Sequence, residues 1–502
     1  MIGVAIAAFL LCCLLPLAYM LSVALSTKTG TASALMLDTR QRGLLWTTTT
    51  LGSATALLST VIGAPLGAAL ARVDLPRKST LRVLLAAPML LPPYVVALAW
   101  ISLDAPTKGM YSTAGAVLVL TLVFYPVSML ATEAAIRRIE PRLEEAALVV
   151  ARPHRALWGI TLRLAGPSIA GAALVIFVLT LSEFGVPGLL RVRVYTTEVF
   201  TAFAALYDFG RATVLALPLL LISTAVTAVA VALLGERLVT TRRGAASGHV
   251  PIFRTWKPAV MAAAAVVIVL ALVLPLAALI REATAARSWA SVVARSGAAI
   301  RNSIVLAIGG ATLTAAVGLS LGYARARARR WLGTVADLTF VVVFAVPSTV
   351  VGVGLIGLYN RPGMLGAVYG TDLMLLLVCL ARFLPVAALG MSAVVAQVPR
   401  SHEEAAAAAG ARWWRTMTDI VVPQTAFGLL VVWVVVFVLA FGELGASILV
   451  APPGEATLPI RIYTLIANAP PAEVAALALL QSAVVLSPLM LLSWGIAARK
   501  AP

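Results

Sequence analysis

Charge is what this sequence has least of. Only 12% of its 502 residues are Asp, Glu, Lys or Arg, about half the share found in a soluble globular protein. Hydrophobic residues make up 61% and the mean hydropathy is +1.00. A soluble fold is excluded, and the chain is read as an all-α integral membrane protein. Cysteine and histidine are equally scarce, with three of each. Cys12, Cys13 and Cys379 lie in apolar runs, so neither a disulfide framework nor a thiolate metal cluster is indicated. His154, His249 and His402 fall in polar loops far apart in sequence, and no metal site is expected among them. No His/Asp/Glu constellation at ligand spacing occurs, so no catalytic residue is expected and a membrane-embedded enzyme is disfavoured. Also missing is the phosphate-cradling run G-x-x-x-x-G-K-[ST]: Lys28-Thr29 and Lys78-Ser79 do not follow a glycine. Without successive backbone N–H groups and a reaching Lys, the chain is not expected to hold ATP in the usual way.

The net charge of +18 is the exception to this poverty. In a soluble chain it would suggest nucleic acid. Here the positive-inside rule accounts for it, and no nucleic-acid partner is expected. Twelve apolar stretches reach the ~20 residues needed to cross a bilayer: roughly 3–25, 46–71, 82–103, 113–135, 168–190, 212–235, 258–280, 302–324, 335–358, 372–396, 427–450 and 472–497. The first resembles a signal peptide in length, but its Pro16-Leu17-Ala18 recurs as Pro275-Leu276-Ala277 in the seventh, and it is read as a retained helix. Placing both termini in the cytoplasm puts nearly two-thirds of the 38 Lys and Arg on the inner side, as the rule requires.

The spans fall into two copies of one six-span unit. Leu58, Gly63, Leu66, Gly67 and Pro92 recur as Leu313, Gly318, Leu321, Gly322 and Pro347. Phe124 and Pro126 recur as Phe383 and Pro385, and Glu183 and Gly185 as Glu443 and Gly445. An even number of spans gives both copies one orientation, a parallel repeat with its axis along the membrane normal. The expected organisation is a first unit at 1–235, a linker at 236–257 whose Gly, Ser and Pro suit a flexible connection, and a second unit at 258–502. Pro92, Pro126, Pro347 and Pro385 are expected to kink spans whose freed backbone groups neighbouring helices satisfy.

The same polar segment interrupts both copies: Glu144-Glu145-Ala146-Ala147 and Glu403-Glu404-Ala405-Ala406. In the second, Glu403 through Ala409 is a run of strong helix formers. Gly410 then ends or bends the helix, or admits a close backbone, and Pro423 marks a turn before the chain re-enters the membrane. A short Ala-faced helix suits a groove on another protein. The alternative is a helix resting at the bilayer surface, with Trp413 and Trp414 at headgroup level. Duplication favours docking.

The pattern E-A-A, three residues, G, nine residues, I-x-L-P resembles the signature loop of ATP-binding cassette (ABC) importer permeases. It is met by Glu404-Ala405-Ala406, Gly410, Ile420 and Pro423, with Val422 at the usual Leu. The resemblance, twice over the chain, implies a type I ABC importer fold of twelve transmembrane helices in two halves. It also implies that Glu144, Glu145, Ala146, Ala147, Glu403, Glu404, Ala405, Ala406, Gly410 and Pro423 belong to coupling helices that seat on two copies of a separate ATPase subunit. ATP and Mg would reside there, an extracytoplasmic solute-binding protein would deliver the cargo, and the chain would lie in a bacterial cytoplasmic membrane. The first copy departs from the pattern, with Ala151 for Gly, Pro153 just after, and Arg163 for the closing Pro. The second loop is therefore expected to be the better-formed coupling element.

Charges inside a bilayer point to function. Glu183, about 22 Å along its span by helix rise, and Glu443 either bond backbone groups freed near the following Gly or line a translocation path. Arg382 has no repeat partner; it either pairs with a carboxylate such as Glu443 or faces the path. The S-E-F-G and G-E-L-G segments, together with 452–480, resemble iron(III) transport permeases, with thiamine and 2-aminoethylphosphonate permeases as alternatives. A proton-coupled major-facilitator transporter would share the twelve spans but has no reason to repeat an EEAA loop.

Overall fold

The computed structural model describes residues 2–26, 39–103, 108–206, 209–239, 256–285 and 289–498. The linker expected at 236–257 lies largely outside them. Among the described residues every regular element is helical. Ten helices are long and apolar enough to cross a membrane. Two further pairs, Lys78–Leu90 with Pro93–Leu103 and Arg330–Ala345 with Ser348–Tyr359, bend by 90° and 94°. Counting each pair as one span gives the expected twelve.

Those bends correct the expectation of simple kinks at Pro92 and Pro347. A proline offers no N–H and drives the residue before it out of helical conformation. Leu91 (ψ 132°) and Val346 (ψ 126°) are accordingly extended, and each helix stops. Neighbouring side chains take up carbonyls left near each break. Tyr125 Oη donates to the Leu85 carbonyl at 2.6 Å, and Arg382 Nη1 donates to the Val346 carbonyl at 2.6 Å. Pro126 and Pro385, by contrast, sit inside the unbroken helices Thr113–Arg137 and Leu373–Val395.

The chain forms two compact units that do not follow the repeat boundaries at 1–235 and 258–502. One comprises residues 1–36, 198–221 and 293–465; the other comprises 37–197, 222–292 and 466–502. Spans two to five of each copy stay together, but the first span is grouped with the second copy's core. Spans seven and twelve are grouped with the first copy's core. Each core is grouped with apolar helices from the other copy, and hydropathy alone does not say which core a terminal helix chooses.

In the unit holding 293–465, the helix through Ile2–Phe9, Leu10–Leu14 and Leu15–Ser26 buries Phe9, Cys12 and Cys13 against Leu321, Phe340, Val343 and Leu384. Phe9 meets Phe340 edge-on at 5.2 Å. The Gly297–Arg327 and Leu373–Val395 helices cross at Gly318 and Gly322. A Cβ at those glycines would lie 2.6 Å from Ala387 Cβ and 2.7 Å from Met391 Cβ. In the unit holding 37–197, the Thr39–Arg72 and Thr113–Arg137 helices repeat the seam at Gly63 and Gly67, facing the backbone of Tyr125 and Met129. Ala264 and Ala271 of the seventh span join the core of that unit, with Leu70, Leu85, Tyr125 and Met129.

Among the described residues four π-turns also occur in repeat-related pairs: Leu10–Leu14 with Val269–Val273, and Leu157–Thr161 with Met417–Val421. The second pair corrects the reading of the fifth and eleventh spans. Helix runs continuously over Pro153–Ser182 and Trp413–Phe441, starting and ending earlier than 168–190 and 427–450. Pro423 therefore marks no turn. The wider π-turn before it shifts the hydrogen-bond ladder, with the Val422 N–H bonding the Met417 carbonyl, so a proline is accommodated mid-helix.

Candidate functional site

The two loop helices span Pro141–Val150 and Arg400–Ala408. Each begins at a proline-defined break: Pro141 is the first helical residue of one, and Pro399 is the N-cap of the other. Both copies are helical, so the difference between them lies at their ends and anchors.

The second helix closes in a Schellman motif. Gly410 adopts φ +79°, its N–H bonds the Ala407 carbonyl at 3.0 Å, and the Ala411 N–H bonds the Ala406 carbonyl at 2.9 Å. Left-handed backbone of this kind suits glycine, which accounts for Gly410 in the sequence pattern. No atom lies within 4 Å of a Cβ built there, so conformation rather than crowding selects the residue. The first helix instead ends at Ala151 in extended conformation (φ −134°, ψ 151°), and Pro153 opens the next helix.

The paired glutamates divide between two faces. Glu145 and Glu404 are exposed, as are Ala146 and Ala405. Glu144 and Glu403 turn inward to an arginine at the end of the second-span helix. Glu144 is 1% exposed, forms an ion pair with Arg72 Nε at 2.7 Å and accepts from Thr161 Oγ1 at 2.7 Å. Arg72 Nη2 also donates to the Ile136 carbonyl at 2.9 Å. In the other unit, Glu403 accepts from Arg327 Nε at 2.8 Å, from Arg327 Nη2, and from Tyr323 Oη at 2.7 Å. Arg327 Nη2 donates to the Val398 carbonyl at 3.1 Å, its guanidinium lies 5.9 Å from the Tyr323 ring, and Tyr323 meets Trp413 edge-on at 6.3 Å. Ala147 is buried and Ala406 half-buried beneath these anchors. Pro423 lies beyond the loop, in the helix that follows it.

Sequence reasoning missed Arg72, Arg327, Tyr323 and Thr161. The two arginines were legible only as positive-inside charges. Their equivalent places, nine residues after Gly63 and nine after Gly318, were the available signal.

Glu183 and Glu443 each stand where a long helix ends and a short one starts. Glu183 Oε1 accepts from the N–H groups of Gly185 and Val186 at 2.9 and 3.3 Å. Glu443 accepts from the N–H groups of Ala446 and Ser447, both at 2.8 Å, and from the Ser447 hydroxyl. These are the backbone-capping bonds anticipated as one of the two readings. Glu183 uses one oxygen for both bonds, so an amide can take its place, whereas Glu443 accepts on both oxygens and an amide nitrogen cannot. Glu183→Ala is expected to destabilise by about 1–3 kcal/mol, the cost of stranding buried donors, while Glu183→Gln keeps most of it. Thermal unfolding of the purified variants checks this; a Gln variant as unstable as the Ala variant would contradict the capping role. Arg382 bonds the carbonyl at the Pro347 break, an arrangement the sequence did not suggest.

The protein-family model described as "Binding-protein-dependent transport system inner membrane component" matches residues 315–499. The chain is 23% identical over 392 residues to "Fe(3+)-transport system permease protein FbpB 2" of Haemophilus influenzae, covering 77% of this chain and 76% of that one. It is 25% identical to "Putative ferric transport system permease protein FbpB 1" of the same organism, over 71% of this chain and 58% of that one. A "Putative 2-aminoethylphosphonate transport system permease protein PhnV" of Salmonella paratyphi A is 29% identical, over 32% of this chain and 58% of that relative.

Proposed function

We propose, from the match of residues 315–499 to the inner membrane components of binding-protein-dependent transport systems, that this chain is the permease of an ABC importer for iron(III). The observation that carries this reading is the Arg400–Ala408 helix within the matched region, with Glu404, Ala405 and Gly410 on its exposed surface. That surface presents small side chains and one carboxylate to a partner, the chemistry of a helix that seats in a protein groove. Its occupant is an ATPase subunit, which holds the ATP and Mg, and the duplicated loop calls for two copies. Both loops and both termini then face the cytoplasm, and a solute-binding protein docks on the opposite side. Iron(III) is favoured because the two ferric relatives align over most of this chain and the phosphonate relative over a third.

In this scheme the loop helices follow the ATPase as it closes on ATP, and the movement switches the path from inward-open to outward-open. Proteoliposomes containing the chain, its ATPase and its binding protein supply the test. Uptake of radioactive iron(III) is expected to stop when ATP is withheld and to persist when the proton gradient is collapsed. ATP-independent uptake would sink the proposal; ATP-dependent uptake of a phosphonate instead of iron would overturn the substrate alone.

A further inference from the structure

We infer that the inward glutamates and their arginines, Glu144 with Arg72 and Glu403 with Arg327, are positioning pairs that transmit loop movement to the membrane helices. The inference rests on the reading of the chain as an ATPase-driven permease. It concerns residues outside the E-A-A-x-x-x-G pattern, which begins one residue later, at the exposed glutamates.

Three observations support it. First, the wiring is duplicated. In both units one arginine ends the second-span helix and reaches two places at once: a backbone carbonyl at or just past the end of the fourth-span helix (Ile136 or Val398) and the first carboxylate of the loop helix. Such repetition in two units of diverged sequence is not expected of incidental surface pairs, which contribute little. Second, the arginine belongs to a helix that cannot slide against its neighbour. Gly63 and Gly67, or Gly318 and Gly322, bring that helix into backbone-level contact with the fourth span. A pull on the carboxylate is therefore delivered to a pair of spans moving as one body. Third, the pairs are charged and close: Arg327 and Glu403 share charge-assisted hydrogen bonds, stronger than neutral ones, and Arg72 and Glu144 form an ion pair at 2.7 Å. Arg72 and Glu144 are 4% and 1% exposed, and so are little screened by salt.

The two pairs differ in what else they hold. Glu144 is also bonded by Thr161, on the helix that leads back into the membrane, so the first loop is fastened on both sides. Glu403 takes its third bond from Tyr323, one turn from Arg327 on the same helix, while the second loop meets the helix that follows it through a separate contact, His402 with Gln424 at 3.2 Å.

Deuterium exchange of the permease–ATPase complex in nanodiscs, with and without ATP plus vanadate, tests this without requiring the transported solute. In the wild type, nucleotide is expected to change exchange both in 400–408 and at the end of the second-span helix, 317–327. In Glu403→Ala the loop response is retained, while the response of 317–327 falls at least about fivefold, the low end of measured couplings between sites. The exchanged pair Arg327→Glu with Glu403→Arg restores it. If Glu403→Ala does not assemble, Glu403→Gln, which keeps the shape and loses the charge, is expected to show a partial loss. A 317–327 response of wild-type size in these variants overturns the inference and leaves the permease reading intact. Absence of any nucleotide response at 400–408 in the wild type overturns both.

Discussion

Glu404→Arg is expected to lower ATP-driven uptake about thirtyfold or more, and Glu145→Arg to lower it only a few-fold. The estimate for Glu404 corresponds to losing one interface hot spot of roughly 2 kcal/mol. Both glutamates are exposed at equivalent places, so the difference comes from the helices that carry them. The second helix offers Ala405, Ala407 and Ala408 to a partner and ends in a closed, glycine-capped turn. Its surface is flat, and its far end is fixed by hydrogen bonds. The first presents Leu143 and Val149, 50% and 85% exposed, and leaves its last turn in extended backbone at Ala151. Bulky side chains hold a partner's backbone farther away, which weakens whatever Glu145 reaches. The measurement is ATP hydrolysis and uptake by the same reconstituted complexes. A larger loss from Glu145→Arg would reverse the assignment of the stronger loop.

Gly67→Val and Gly322→Val are expected to abolish accumulation of folded protein. At Gly67 the first added carbon would overlap the Met129 carbonyl oxygen and lie 2.9 Å from Thr132 Cβ. At Gly322 it would lie 2.7 Å from both Met391 Cβ and the Ser392 backbone nitrogen. Much of this is backbone, with no flexible side-chain end to move away, so the helices must separate along the seam. Overpacking a tight site costs about 1–3 kcal/mol and occasionally more, and two of the most intimately packed helices in each unit share the damage. Gly166→Ala is the matched control: nothing lies within 4 Å of its added carbon, and alanine in a helix gains about 0.5–1 kcal/mol over glycine. Fluorescence-detected size exclusion after heating separates the outcomes. A monodisperse Gly322→Val protein melting near the wild type would refute the seam.

The repeat made much of this legible. Gly63 and Gly318 were visible as a pair before their role as a close-approach seam was known, because only positions that cannot drift keep the same residue in both copies. The EEAA segments were equally visible. Hydropathy failed where geometry depends on non-local choice. It placed the fifth and eleventh spans too late because a helix can begin in amphipathic sequence, pass through a π-turn and end at a carboxylate cap. It read Pro92 and Pro347 as kinks because a span's composition does not reveal a right-angled bend. It also missed Arg72 and Arg327 as anchors, since an arginine at a membrane boundary has the same sequence signature whether it meets water or a buried glutamate. The exchange of terminal helices between the repeat cores was invisible for a related reason: apolar surfaces carry no address.

That exchange has a consequence for how the protein is made. Leu321, Phe340, Leu384 and Ala388, against which the Ile2–Ser26 helix packs, are translated some 300 residues after it. At about 5–20 residues per second, the helix waits roughly 15–60 s in lipid, with Phe9, Cys12 and Cys13 facing acyl chains. The seventh span has no such delay, because Leu70, Leu85, Tyr125 and Met129 are already in place when it is inserted. The Ile2–Ser26 helix thus docks long after it is inserted, and the unit it completes closes only once Leu384 and Ala388 have been synthesised.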